Sequence, residues 1–163
     1  MLKKVTCQKA VASSLSIGSP MNGELVSLNQ VPDEVFSSGM MGKGVAILPG
    51  NGSVVAPCDG AITYNRTFCH MIGVTTNSGI DILIHVGLNT TAIEQGLIYC
   101  HVREKQMVRK GEPLLTINLD AIKNLEDNLL TMVLITNPDR CTSIASEAIG
   151  RKVKAGERVM TVF

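Results

Sequence analysis

Two histidines lie in neighbouring apolar segments and are the residues best suited to chemistry in this chain. His85 is near the end of residues 79–87, GIDILIHVG, and His70 is the second residue of 69–75, CHMIGVT. A histidine amid β-branched residues is usually a core residue whose ring nitrogens have ordinary hydrogen-bond partners. Two rings that face one another are different, because protonation of both places like charges together. A facing pair therefore indicates a chemical role.

The link between the two segments predicts that the two rings face one another. Residues 76–79, TNSG, contain Asn-Ser-Gly between apolar runs, which is typical of a hairpin turn. If the chain reverses symmetrically about Asn77 and Ser78, His70 pairs directly with His85 and their Cβ atoms lie about 4.5–5.5 Å apart. A slip of one residue would break this pairing, so the prediction depends on the register of the hairpin.

A facing pair of imidazoles is compatible with three chemistries: a metal clip, a general acid/base pair, or a phosphoryl-accepting histidine assisted by its neighbour. The metal interpretation needs a third ligand, for which His101 and Asp81 are the obvious donors, and the chain has no His-x-His or His-Glu-x-x-His motif. The phosphoryl interpretation needs less. A neutral imidazole nitrogen is a nucleophile near pH 7, and a second imidazole can donate to a phosphate oxygen.

The elements that must position these histidines are predicted to be strands. Runs rich in Val, Ile, Leu and Thr alternate with Gly, Pro, Asn and Asp clusters, and helical periodicity is confined to the short segments 33–37 and 119–125. Strands are predicted around 23–27, 44–48, 53–55, 60–64, 69–75, 80–86, 97–102, 114–118, 132–136, 141–145 and 159–163. The predicted fold class is all-β, an antiparallel β-sandwich or barrel-sandwich hybrid with one or two short helices.

Two internal repeats indicate how the strands are arranged. Residues 20–25, PMNGEL, recur as 57–62, PCDGAI, displaced by 37 positions, and residues 108–117, VRKGEPLLTI, recur as 153–162, VKAGERVMTV, displaced by 45 positions. Each copy is a glycine-containing turn followed by a strand. The core is therefore predicted to contain two similar sets of strands that face each other.

The composition excludes several classes of protein. The chain has 163 residues, a net charge of +1 and 3% aromatic residues, so it lacks the basic surface and stacking platforms of a nucleic-acid binder. No stretch approaches the ~18 apolar residues of a spanning helix, which argues against direct membrane insertion. Its five cysteines show no Cys-x-x-Cys spacing and fit reduced thiols in the cytoplasm. Residues 1–17 are predicted to be a short flexible leader, and residues 18–163 a single domain.

Four further motifs resemble one known family. Residues 31–36, VPDEVF, residues 41–49, MGKGVAILP, residues 55–60, VAPCDG, and residues 84–90, IHVGLNT, follow its pattern, and the match runs from about residue 18 to residue 163. On these residues the chain resembles the glucose-type enzyme IIA (EIIA type-1) domain of the bacterial phosphoenolpyruvate-dependent sugar phosphotransferase system.

The resemblance implies that the chain is a phosphoryl carrier. Proteins of this family accept a phosphoryl group on one histidine from the small carrier HPr and pass it to a sugar-specific IIB domain or permease. The resemblance places the acceptor at Nε2 of His85 and the phosphate-stabilising ring at His70, and it implies an antiparallel sandwich with no cofactor beyond the covalent phosphate. It also implies a shallow apolar depression that docks both partners, at Asp33, Val35, Phe36, Met40, Met41, Leu83 and Asn89. Flexible methionines suit a surface that must fit two partners.

Some positions depart from the family pattern. The family has a threonine two residues before the supporting histidine, where this chain has Phe68. Asn89 replaces an aspartate that would pair with an arginine of the carrier, a role that Asp33 retains. These departures leave a second interpretation open, in which a degenerate IIA-like module without efficient phosphotransfer regulates permeases or enzymes.

Two other interpretations concern the hairpin itself. A zinc ion held by His70, His85 and a carboxylate of a partner is compatible with the histidine pair and would occupy the ring nitrogens. A biotinyl or lipoyl carrier domain is not compatible with this sequence, because such a domain needs a lysine at the hairpin tip, where this chain has Asn77 and Ser78.

Overall fold

The computed structural model describes residues 13–65, 70–88, 96–122 and 129–163. Within these ranges the chain forms fourteen strands and one short α-helix, which confirms the all-β prediction. The strands are β1 (Leu15–Gly18), β2 (Gly23–Ser27), β3 (Lys43–Pro49), β4 (Ser53–Val55), β5 (Gly60–Asn65), β6 (Met71–Thr75), β7 (Asp81–Val86), β8 (Ile98–Cys100), β9 (Met107–Val108), β10 (Pro113–Ile117), β11 (Thr131–Ile135), β12 (Ile144–Ser146), β13 (Lys152–Val153) and β14 (Arg158–Val162). Helix α1 spans Glu34–Ser37, and 3₁₀ turns occur at Leu28–Gln30, Leu119–Ile122 and Pro138–Arg140. In the described ranges, none of the helices has the length and apolar character needed to cross a membrane.

The strands form one large and two small sheets, and every pairing is antiparallel. The eight-stranded sheet has the order β13-β2-β3-β11-β7-β6-β5-β9, and the three-stranded sheets have the orders β1-β14-β12 and β4-β10-β8. The main core contains buried side chains from all three sheets, such as Ile17 of β1, Leu114 of β10 and Ile84 of β7. The eight-stranded sheet therefore has one face against this core and one outer face.

Strand β11, at the centre of the large sheet, is buried on both faces. All five residues of β11 are buried, because Val133 points into the main core while Met132 and Leu134 join a second cluster on the outer face. A continuous apolar run of this length is typical of a strand covered on both sides. The outer face near β11 and β7 is therefore not bare solvent-facing sheet.

The segment between β2 and β3 covers this part of the outer face. Leu28, Val31 and Phe36 from this segment pack over Ala46, Leu130, Met132 and Leu134, and the partly buried Val26, Met41, Leu83 and Leu88 lie against the same cluster. We call these residues the outer cluster. Helix α1 starts after Asp33, whose Oδ1 accepts the amide of Val35 at 2.9 Å and caps the first turn.

The two sequence repeats occupy equivalent places in the fold. Gly23 of β2 pairs with Val153 of β13 at one edge of the large sheet, and the repeat mates Gly60 of β5 and Val108 of β9 pair at the other edge. The sheets β1-β14-β12 and β4-β10-β8 correspond in the same way, because β14 and β10 are the repeated strands and each lies in the middle of its sheet. The described part of the molecule thus has an approximate internal two-fold arrangement.

The first strand begins inside the segment predicted to be a leader. Leu15 pairs with Val162 of β14, and Ile17 is fully buried in the main core. The boundary predicted after residue 17 therefore falls too late, because tertiary pairing orders a segment too short to show a periodic pattern; residues 1–12 lie outside the described residues. Strands β9 and β13 are absent from the sequence prediction for a similar reason. Each has only two residues, which show no alternation of apolar and polar side chains.

Candidate active site

His85 lies on the outer face of β7. The alternation of the strand directs Ile82, Ile84 and Val86 into the main core, so that Leu83 and His85 point the opposite way. His85 is only 8% exposed. His85 is thus at the outer surface but within a largely desolvated setting.

The hairpin that brings His70 to His85 has a register one residue away from the prediction. The structure pairs His85 with Met71, and the hairpin loop has three residues rather than two, because the amide of Thr76 donates to the carbonyl of Ile80 at 3.0 Å. Gly79 closes this loop with φ +79°, the left-handed conformation that three-residue hairpins require. The predicted direct pairing of His70 with His85 is therefore wrong.

The two imidazoles nevertheless meet. His70 lies just before β6, and its carbonyl accepts the amide of Val86 at 2.7 Å. The ring centroids of His70 and His85 are 5.5 Å apart with planes inclined by 75°. The rings approach edge to face, so the structure brings together the pair on which the chemical hypothesis depends.

The peptide carbonyl of Gly87 sets the proton on the ring of His85. Nδ1 of His85 lies 2.9 Å from the Gly87 oxygen, and because a carbonyl can only accept, Nδ1 carries a hydrogen. In the neutral ring the lone pair is then at Nε2. Gly87 can turn back toward the imidazole because it has φ +76°, and its own amide donates to Leu130. The glycine directly after the strand was the only sequence signal for this contact.

Burial keeps the imidazole of His85 neutral. Desolvation is the largest cause, and the charge of His70 acts in the same direction, while the Gly87 carbonyl and Asp33 act against them; together they lower the pKa of His85 from 6.5 to about 4. At neutral pH the ring is therefore unprotonated at Nε2 and can act as a nucleophile.

The predicted docking residues fall into two groups. Val35 is 45% and Met40 78% exposed, and Met41 and Leu83 are partly buried against the outer cluster. Phe36 differs from the expectation, because it is 5% exposed and its ring packs on His85 with centroids 4.9 Å apart. The structure thus places Phe36 in direct contact with His85, and its part in docking stays a prediction.

Two other predicted docking residues complete the comparison. Asp33 lies at the N-terminus of α1, close enough for its charge to act on His85. Asn89, like Phe68, lies outside the described residues.

The two additional metal donors considered from the sequence lie elsewhere. The carboxylate of Asp81 accepts from Thr75 at 2.6 Å and from Asn137 at 2.9 Å, and the ring of His101 hydrogen-bonds to Thr116 at 2.8 Å on a different sheet. Across the described ranges, no group of three or more His, Cys, Asp or Glu side chains is arranged to hold a metal ion.

The chain is similar to known phosphotransferase proteins. The family model for the "phosphoenolpyruvate-dependent sugar phosphotransferase system, EIIA 1" matches residues 15–141. The glucose-specific EIIA component of Bacillus cereus is 36% identical over 162 residues, which cover 99% of this chain and 98% of that protein. The β-glucoside-specific EIIBCA component of Bacillus subtilis is 39% identical over 146 residues, which cover 90% of this chain.

The relatives include a protein of about this length and much longer proteins. The chain spans about a quarter of the Bacillus subtilis EIIBCA component and of the glucose-specific EIICBA component of Staphylococcus carnosus, 24% and 23% of their lengths. Among solved structures, glucose permease IIA from Mycoplasma capricolum is similar, with a TM-score of 0.84, 29% identity, and coverage of 91% of this chain and 96% of that one. The resemblance inferred from the sequence motifs is confirmed. The chain belongs to the EIIA type-1 family of the phosphoenolpyruvate-dependent sugar phosphotransferase system.

Proposed function

We propose that this chain accepts a phosphoryl group from phospho-HPr on Nε2 of His85 and passes it to a sugar-specific IIB domain or permease in the cytoplasm. The observation that carries the proposal is the hydrogen bond from Nδ1 of His85 to the Gly87 carbonyl, beside the ring of His70. This hydrogen bond leaves the nucleophilic lone pair on Nε2, the ring nitrogen that does not contact the Gly87 carbonyl. The proposal needs no cofactor beyond the phosphoryl group itself.

In the proposed reaction, the Nε2 lone pair attacks phosphorus while the nitrogen–phosphorus bond to the donor histidine breaks. The Nδ1 proton stays in place, so the phosphorylated ring carries a delocalised positive charge that the Gly87 carbonyl, 2.9 Å from Nδ1, stabilises. The ring of His70 supplies an N–H donor for a phosphate oxygen. Transfer to the IIB domain is the reverse displacement with a different nucleophile.

The surroundings of His85 suit a site that two proteins must reach in turn. Val35 and Met40 are exposed apolar side chains on the segment that covers the outer face, and Leu83 precedes His85 by two residues on the same face. Asp33 places a carboxylate beside this apolar area. An apolar centre with a charged margin is the usual composition of a protein–protein interface.

Radiolabelling tests the proposal. With radiolabelled phosphoenolpyruvate, enzyme I and HPr, we expect one acid-labile phosphoryl group per chain, no labelling of His85→Ala, and slow labelling without onward delivery for His70→Ala. His101→Ala is the matched control, because this exposed histidine pairs with Thr116 in another sheet, and its labelling should equal that of the parent chain.

Two outcomes would contradict the proposal. Full labelling of the His85→Ala chain would reject the assignment of the acceptor. A folded parent chain that takes no label from phospho-HPr would instead favour the regulatory module without efficient phosphotransfer.

A further inference from the structure

Phe36 packs against the imidazole of His85 instead of facing solvent. The two ring centroids are 4.9 Å apart, the planes are inclined by 61°, and Phe36 is 5% exposed. Edge-to-face contacts at this separation are favourable between aromatic rings. The contact joins α1 to β7 directly at the candidate acceptor.

The imidazole of His85 needs such a contact to have one orientation. Rotation of a histidine ring about its Cβ–Cγ bond is only weakly restricted by its own torsional preference. The Gly87 carbonyl restrains Nδ1, and the His70 ring, 5.5 Å away and inclined by 75°, bounds another side. Phe36 adds a third contact from a separate element. The Gly87 carbonyl, the ring of His70 and the ring of Phe36 therefore all restrain the imidazole of His85.

Phe36 is itself held firmly enough to act as a support. It belongs to the outer cluster with Leu28, Val31 and Met132, all buried. Asp33 caps the short helix that presents it. The position of Phe36 is therefore determined by packing that does not depend on a bound partner.

We propose that Phe36 is a positioning residue for phosphoryl transfer, which holds the imidazole of His85 with Nδ1 on the Gly87 carbonyl and Nε2 directed toward the incoming phosphorus. The inference rests on His85 being the acceptor. It separates Phe36 from Val35 and Met40, which are exposed and suited to partner binding. Loss of a positioning residue slows the step inside the complex, whereas loss of a docking residue weakens the complex.

Kinetics of labelling by phospho-HPr distinguish these two roles. Phe36→Met keeps apolar volume but removes the flat ring, so the fold should persist. We expect kcat to fall by about ten-fold or more, with KM for phospho-HPr changed by less than about two-fold, because misorientation of a reacting group acts mainly on the bound state. Phe163→Met is the matched control, because Phe163 is 46% exposed at the last position and should leave both constants unchanged. Phe36→Leu is a second variant for the same measurement.

Nuclear magnetic resonance of the histidine ring nitrogens tests the contact without any carrier. At neutral pH we expect a proton on Nδ1 of His85 in the parent chain and in Phe163→Met, and a mixture of Nδ1 and Nε2 protonation in Phe36→Met. If the parent chain takes no label but Phe36→Met still changes the ring-nitrogen signals, the ring contact holds while the proposed function fails.

Three results would overturn the proposal. The first is a Phe36→Met or Phe36→Leu chain with parent kcat and parent ring-nitrogen signals. The second is a rise in KM with unchanged kcat, which would return Phe36 to the docking surface. The third needs no variant: in the parent chain, absence of a nuclear Overhauser effect between the ring protons of Phe36 and His85 would exclude the contact.

Discussion

At His85, one backbone carbonyl and a desolvated setting act on the same ring in complementary ways. The Gly87 oxygen decides which nitrogen holds the proton, and burial decides that there is only one proton to hold at neutral pH. Neither effect alone would present a lone pair at a defined nitrogen. An exposed histidine in contact with the same carbonyl would be partly protonated near its ordinary pKa of about 6.5.

The lowered pKa of His85 predicts a specific loss of stability in acid. Between pH 6.5 and pH 4 the unfolded chain binds a proton at this residue that the folded chain does not. The stability that the neutral ring of His85 contributes to the fold is therefore fully present above pH 6.5 and is lost as the pH falls toward 4. We expect the parent chain to lose about 3 kcal/mol more unfolding free energy than His85→Gln over this window. Urea unfolding of both chains at several pH values measures the difference. Parallel curves for the two chains would show that the pKa of His85 is the same in the folded and unfolded chains.

The roles of individual residues were only partly visible in the sequence. The two histidines stand out because imidazoles are unusual amid apolar strand residues. The carbonyl of Gly87 and the ring of Phe36 do not, because a backbone acceptor has no side-chain signature and a phenylalanine in a short, largely polar segment suits an exposed docking position as well as a buried support. Only tertiary packing distinguishes those two environments.

Among the elements, the β6–β7 hairpin determines how the two imidazoles approach. Its tip is braced by the turn after β11: the side chain of Asn137 donates to Gly79 and to the carboxylate of Asp81, and accepts the amide of Asp81, each at 2.9 Å. A single amide thus satisfies backbone and side-chain groups on both the loop and the strand. This brace stabilises the three-residue loop and, with it, the register of the hairpin.

Removal of the brace should loosen the hairpin. Asn137→Ala leaves a partly buried carboxylate and two backbone groups without these partners, so we expect a loss of about 1–3 kcal/mol in unfolding free energy. Hydrogen exchange of the amides in residues 76–81 should accelerate more than exchange in β11. Asn118→Ala is the control, because Asn118 is exposed, and its effect should stay within about 0.5 kcal/mol. Equal stability of the two variants would show that the loop holds its register without Asn137.

The register error has a definite physical origin. Asn-Ser-Gly fits a two-residue turn centred on Asn77 and Ser78 and also a three-residue turn that ends on a left-handed Gly79. Both choices keep apolar residues paired with apolar residues, because β6 and β7 are apolar on both faces over most of their length. Strand positions could therefore be predicted from alternation and turn residues, whereas the one-residue choice between loops could not.

At the scale of the whole described molecule, the two faces of the large sheet differ: one packs against the main core, and the other carries the outer cluster. The internal repeats occupy the two edges of the large sheet and the middle of each small sheet, while the β2–β3 connection covers part of the outer face and leaves His85 at its margin. The repeats were visible in the sequence as displaced copies, and they predicted the two sets of strands. The cover was not visible, since the only helical signal there spans a single turn.

This division predicts that stability and partner binding can be separated by substitution. Ile84→Ala removes a fully buried side chain on the inner face of β7 and should cost about 2–5 kcal/mol of unfolding free energy. Met40→Ala, at a residue 78% exposed, should change stability by less than about 0.5 kcal/mol and raise KM for phospho-HPr several-fold. Calorimetry and labelling kinetics on the same preparations measure both effects. A Met40→Ala chain with the parent KM would place the docking surface away from α1 and the residues that follow it.

The partner of Nδ1 is an oxygen of the main chain, and this affects what mutation can do to the site. Every amino acid carries the same peptide oxygen, so an exchange of side chains at position 87 cannot delete the acceptor; it can only redirect it by altering the path of the backbone, which here needs φ +76°. The acceptor itself is thereby insulated from most point mutations, although its contact with Nδ1 still depends on how the ring of His85 is held. Loss of the acceptor would require a change in the course of the chain after β7.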